Sequence, residues 1–488
     1  MEKNMICIEK RVFFALAAGF FTLSFSCASN KEVAKASPDR TVQTSAPQKA
    51  EQVPPAPAKE APPVSPEVQF AQNVSNNLQS GNMEQALALF DNMPAGSEKD
   101  SDLQTLKASL LLSMGKGAEA EVLAKELLET NPDDVDILGL NVMVAKQKGD
   151  AKTKSALLKK IITIDPKNAD ANLELGDEQA LRHNYRMASK YYKTAVDSEP
   201  TNTGALFSYG KMSYYLEKDS DAKEMFERIL AINPDDAQAL AYLGKLEGEA
   251  KRYRNAKEYI DRALKVEPHN AEFYLDLGTY SRYLGDYKGA ESAWENAVKY
   301  DPDYFLGYAY LAGLYDEQNN FDKALEYYRK VIEKNPQYYY AYESLGMFAW
   351  HKENWAEARN AFSRALQKNP GNVSYVLMIA ATYWKEKKIP DLKKFTETAM
   401  KGMDRSGLEY AVVRMYHDMG GDIGVLQRIS AEQNRTKRGK FLYYAAVYFE
   451  LKNNNSIAQK YYTEVVGMQS PMFFEYRLAE WSISNGSN

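Results

Sequence analysis

Few side chains in this 488-residue sequence stand where they could do chemistry. Its two cysteines are Cys7 and Cys27, and Cys27 closes an apolar run from Val12 to Phe25 that Lys3, Lys10 and Arg11 precede. That run is too short to cross a bilayer comfortably and has the length and flanks of a secretory leader. A lone thiol at the end of such a run is hard to explain unless the leader is processed there. Cleavage before Cys27 would remove Cys7 and leave no partner for a disulfide. The histidines, His183, His269, His351 and His417, are far apart and lack metal-ligand spacing. Acidic pairs such as Asp133-Asp134 and Asp235-Asp236 could do acid–base work, but each follows a proline and suits the cap of the next helix. Gly420, Gly421 and Gly424 form a weak glycine cluster better suited to a turn, and neither a P-loop nor a nucleophile elbow is present. No catalytic residue, metal ligand or cofactor is assigned, and the expectation is a protein that is not an enzyme. A net charge of −5 argues against nucleic acid as a partner.

What positions side chains over most of the chain is a period. Pro132, Pro166, Pro200, Pro234, Pro268, Pro302, Pro336 and Pro370 recur every 34 residues, each after Asn, Asp or Glu. One globular core does not generate so strict an interval; a stack of like supersecondary units does. With the proline at position 32, units begin at 101, 135, 169, 203, 237, 271, 305 and 339. Position 8 is then Gly176, Gly210, Gly244, Gly278, Ala312 and Gly346, and position 20 is alanine from Ala188 through Ala358. Position 24 is large: Tyr192, Phe226, Ile260, Trp294, Tyr328 and Phe362. Small residues let two antiparallel helices approach, and large ones fill the space beside the contact. Proline stops the second helix, and Gly115, Gly149 and Gly285 at position 15 mark the turn between the two. The fold expected from about 67 to 485 is all-α, without strands.

These positions resemble the tetratricopeptide repeat, and Tyr274, Leu277, Gly278, Gly285, Ala290, Trp294, Ala297 and Pro302 fill nearly every slot of its pattern. The resemblance implies an α-solenoid, a right-handed superhelix of about 10–12 helix-turn-helix repeats. It also implies a concave groove lined by positions 2, 5, 9 and 12 of the first helix, with a protein or peptide as ligand. On that implication the groove carries Phe207, Lys211, Tyr214, Arg282, Tyr340, Met347, Trp350 and Trp384. Trp350 and Trp384 share position 12 in neighbouring units; beside Tyr340 and Met347 they would form an apolar strip, the alternative being that position 12 packs on the adjacent helix. Trp294 and Trp355 fall in core slots. The Lys-Asn pair with which chaperone-binding members of the family clamp a carboxylate is absent.

Residues 1–26 read as a leader, and 27–66 as a lipidated start and a disordered Pro/Ala-rich linker. Ten units fill 67–406, with starts at 67 and 373 added to those above. Residues 407–438 read as a degraded helix pair, 439–472 as a further unit and 473–488 as a capping helix. The basic stretch Arg435, Lys437, Arg438 and Lys440 fits a solvated turn, with a lipid surface as the alternative. The segment Leu23-Ser24-Phe25-Ser26-Cys27-Ala28 resembles a bacterial lipobox with its leucine one residue early, which implies Cys27 as the lipidation site, against ordinary cleavage after Ala28. Together these features fit an exported, lipid-anchored scaffold of the bacterial cell envelope that binds proteins or peptides during assembly of envelope complexes. A surface-exposed adhesin for host molecules, and an accessory subunit of a polysaccharide-synthesis or secretion machine, remain open.

Overall fold

A helix starts on the first residue of every interval from 101 to 373. The computed structural model describes residues 66–469 and 473–485. The leader, Cys27 and all but the last residue of the linker lie outside the described residues. Among the described residues there are helices and turns and no strand. They form two compact units that divide after Pro234.

The first unit holds α1 (Pro66–Gln79), α2 (Met83–Ala88), α3 (Ser101–Ser113), α4 (Gly117–Thr130), α5 (Val135–Gln147), α6 (Ala151–Ile164), α7 (Ala169–Leu181), α8 (Tyr185–Ser198), α9 (Thr203–Tyr215) and α10 (Asp219–Ile232). The second holds α11 (Ala237–Glu249), α12 (Tyr253–Val266), α13 (Ala271–Tyr283), α14 (Tyr287–Tyr300), α15 (Phe305–Glu317), α16 (Phe321–Lys334), α17 (Tyr339–His351), α18 (Trp355–Lys368), α19 (Val373–Lys385) and α20 (Ile389–Met400). It continues with α21 (Leu408–Asp418), α22 (Asp422–Ala431), α23 (Arg435–Leu451), α24 (Asn455–Gly467) and α25 (Phe474–Asn485). Within each unit, the first helix of an interval (helix A) packs on its own second helix (helix B), which packs on the next helix A.

Three local devices set this register. The residue before helix A is a cap: Asp100, Asp134, Asn168, Asn202, Asp236, Asn270 and Asn372 each accept from backbone N–H groups of the first turn. Tyr304 and Tyr338 stand at that place before α15 and α17 and make no such bond. The turn at position 15 is left-handed throughout: beside Gly115, Gly149 and Gly285, the residues His183, Glu217, Lys251, Asn319, Glu353 and Lys387 all have φ between 55° and 60°. The bend therefore belongs to the lattice, and glycine only makes it cheaper. Third, position 8 lies under the ring at position 24. A Cβ on Gly176 would sit 2.4 Å from Tyr192, and one on Gly278 would sit 2.3 Å from Trp294.

The ends depart from the pattern for visible reasons. Helix α2 shortens into a 3₁₀ turn, Leu89–Asn92, because Pro94 bars the helical region to the residue before it. The pair α21–α22 breaks at Met419 and Gly421, both left-handed. Helix α23 begins at Arg435, four residues before the interval starting at 439, and every residue from Phe441 to Phe449 is buried. Such a helix, apolar all round, needs neighbours on all sides. It has them in α19, α21, α22, α24 and α25.

Candidate functional site

In the first unit, the proposed groove residues stand on α9 amid aromatic rings. Phe207 is edge-on to Phe226 at 6.0 Å, the Lys211 ammonium lies 6.0 Å from the Tyr215 ring, and Tyr214 meets Tyr215 at 5.7 Å. Along the same helix-A face, Met143 at position 9 of α5 is 51% exposed. Lys146 at position 12 joins Glu174 on α7, which also takes an ion pair at 2.8 Å from Lys154. Burial pushes the Glu174 carboxyl up, but its hydrogen bonds from Lys146 and Lys154 outweigh that, so it is held below the usual range. Sequence reading missed this cluster because its partners are 20 and 28 residues apart on three helices.

In the second unit, Lys245 at position 9 of α11 reaches Glu272 at 2.5 Å and Asp276 at 3.6 Å. Desolvation works against the buried ammonium, yet the two carboxylates keep its pKa well above the ordinary value. Arg282 at position 12 of α13 is bound in a fork by Glu317 of α15, its Nε donating to Oε2 at 3.0 Å. Charges at helix-A positions thus tie one repeat to the next.

Tyr340 is 46% exposed and stacks on Tyr339 at 4.0 Å. Its three supposed companions do not form an open strip: Met347 is 6% exposed, and Trp350 and Trp384 are 9% exposed. Trp384 is clasped edge-on by Tyr416 of α21 and Tyr448 of α23, at 6.1 and 5.6 Å. Trp350 meets Trp355 of α18 at 4.9 Å, and the Lys385 ammonium sits 6.0 and 5.2 Å from those two rings. Lys385 is held by Glu450 of α23 at 2.5 Å, and Glu450 accepts from the Tyr462 hydroxyl at 2.7 Å. Segments beyond residue 400 thus cover Trp384, while Trp350 is covered by Trp355 and Lys385.

The basic stretch is helical rather than a turn, with Arg435 exposed and Lys437, Arg438 and Lys440 half-buried. Arg435, Lys437, Arg438 and Lys440 lie on α23, where Lys437 pairs with Glu409 at 2.7 Å and Arg435 donates to the Met468 carbonyl. Of the histidines, His183 Nδ1 meets the Tyr185 hydroxyl at 2.6 Å and His417 Nδ1 meets Thr396 at 2.9 Å. Among the described residues no group of three or more His, Cys, Asp or Glu could hold a metal ion, and no helix is long and apolar enough to cross a membrane.

The C-terminal helix α25 folds back along α15–α19. Arg477 forms an ion pair with Asp316, at position 12 of α15, and its guanidinium lies 5.8 and 5.6 Å from the Phe321 and Phe348 rings. Trp481 packs on Phe321, Phe348 and His351 at 5.0, 5.7 and 4.4 Å. Phe474 stacks on Phe362 and Tyr375.

Two family models, both described as the tetratricopeptide repeat, match the chain. One matches residues 243–281, 275–317 and 311–373. The other matches residues 77–141. No curated protein matches. Among solved structures, a tetratricopeptide repeat protein from Parabacteroides merdae ATCC 43184 is 19% identical, with 51% of this chain and 98% of that one covered, at a TM-score of 0.41. PilF of Pseudomonas aeruginosa is 20% identical, with 42% and 94% covered, at 0.38. YrrB, a tetratricopeptide-repeat protein with an unusual peptide-binding site, is 20% identical, with 40% and 97% covered, at 0.31.

Proposed function

Since the chain is a tetratricopeptide-repeat protein, we propose that it is a scaffold that binds proteins or peptides on its helix-A face, held at a bacterial envelope membrane by a lipid on Cys27. The observation that carries this reading is the register. Helix A begins on the same residue of nine successive intervals from 101 to 373, so positions 2, 5, 9 and 12 recur on one face of each unit. A stack built this way presents an extended surface of varied side chains, suited to an extended partner. That face is chemically mixed: Met143 and Tyr340 are exposed, while Lys146 and Arg282 make ion pairs that a ligand could exchange. Work in assembling envelope complexes follows from joining such a surface to the anchor suggested by Leu23 through Cys27.

Affinity capture from crosslinked envelopes tests this, using the full chain and its Cys27→Ser form side by side. A defined set of envelope proteins should co-purify with the wild type and fall away from the variant, which no longer reaches the membrane. A wild type that recovers only itself would contradict the scaffold. Capture unchanged by Cys27→Ser would contradict the anchor alone.

A further inference from the structure

One stretch of the second unit's helix-A face already has an occupant, and it belongs to the same chain. Helix α25 reaches back 161 residues to place Arg477 on Asp316. An aromatic floor receives Trp481, one helical turn further on: Phe321, the first residue of helix B α16, with Phe348 and His351 at positions 10 and 13 of α17. Arg477 and Trp481 are an i,i+4 pair on one face of a 12-residue helix, the pattern by which an amphipathic helix seats in a groove.

The contact also carries a built-in penalty. Glu475, in the first turn of α25, is wholly buried. One of its carboxylate oxygens accepts from the Tyr444 hydroxyl at 2.9 Å; the other meets no donor in hydrogen-bonding geometry, and the nearby Ser374 hydroxyl and its own backbone N–H favour the charge only in part. Leaving such a group unsatisfied weakens the docked state relative to the released one, where water solvates it. A permanent cap would be better served by an apolar residue at 475.

We propose that α25 is a displaceable plug on the face of α15–α19, and that the partner it holds off is a helix carrying an arginine and, four residues on, an aromatic residue. The Asp316 carboxylate would take the arginine and the ring floor the aromatic, in trans as now in cis. This rests on the helix-A face being a binding surface, but its first test reads the tail alone. Hydrogen exchange of the wild-type full chain should show amides of α25 exchanging roughly 100-fold faster than those of α23, by an opening that leaves the rest folded. Exchange of α25 only together with α23 would overturn the plug and leave the scaffold reading intact. The second test adds a labelled peptide of residues 473–485 to the full chain. Binding should tighten at least about tenfold in the Arg477→Ala, Trp481→Ala double variant, whose own tail no longer competes, and a peptide lacking that arginine should not bind. Equal or absent binding to the two proteins overturns the proposed partner chemistry, and tails exchanged between two copies of the chain overturn the cis arrangement.

Discussion

At the scale of single residues, the lattice positions make sharp demands. At Gly278 an added Cβ would meet the Trp294 indole, and that ring cannot slide aside freely because its Nε1 donates to the Leu275 carbonyl at 3.1 Å. Gly278→Ala should therefore cost about 1–3 kcal/mol. Gly244→Ala, where the nearest atoms are at 3.2 Å, should cost less. Denaturant melts of the two variants check the order. The left-handed turn gives the opposite sign. Lys251 has a φ of 60°, so Lys251→Gly should stabilise by about 1 kcal/mol and raise the melting temperature. The roles of positions 8, 20, 24 and 32 were legible in the sequence because the period repeats each of them several times. Trp350 and Trp384 were not. Their shared position suggested an open apolar strip, but the rings that enclose Trp384 come from Tyr416, in the degraded pair, and Tyr448, on a helix that begins four residues ahead of its interval. Each Trp→Ala change should now cost ~3–5 kcal/mol of stability, like Trp294→Ala, and thermal melts of the three should be lowered alike.

At the scale of elements, α23 and α25 set what is accessible in the second unit. Burial pushes the Glu475 carboxyl above its ordinary value, against the pull of Lys440 on α23. Burial raises Glu343 of α17 too; the Tyr375 hydroxyl bonded to it lowers it in part, and the Glu475 charge adds to the rise. Tyr443 and Tyr444 face the same site from α23, with hydroxyls that burial keeps neutral. Asp316 of α15 is raised by burial and lowered by Arg477, and because protonating it would break its pair with Arg477 it does not add to the effect of Glu475. A carboxyl raised on docking binds its proton more tightly in the docked state. Through Glu475, docking is strongest when that carboxyl is protonated, weakens as pH rises from the ordinary carboxyl range through its raised value, and levels off above it. Hydrogen-exchange protection of 474–485, corrected for intrinsic rates, should be greater at pH 5 than at pH 8. Glu475→Gln should flatten that dependence; an unchanged slope would remove Glu475 from the account. The existence of a terminal helix near 473–485 was legible from its amphipathic pattern. Its seat on α15–α17 was not, because a contact spanning 161 residues leaves no local signature.

At the scale of the whole molecule, a repeat array offers partners a surface rather than a reactive centre, and a lipid would fix where that surface works. Cys27→Ser should move the protein from the membrane to the soluble fraction and abolish acyl labelling. A wild type that already fractionates as soluble would remove the anchor without touching the array. The central claim is that partners engage the helix-A face, and site-specific photo-crosslinking in cells tests it most directly. The probe goes in turn at Met143 and Tyr340 on helix A, 51% and 46% exposed, and at Val122 on helix B, 60% exposed. Crosslinked protein adducts at 143 and 340 with none at 122 are the expected result, and adducts at 122 alone, or equally at all three, would contradict it.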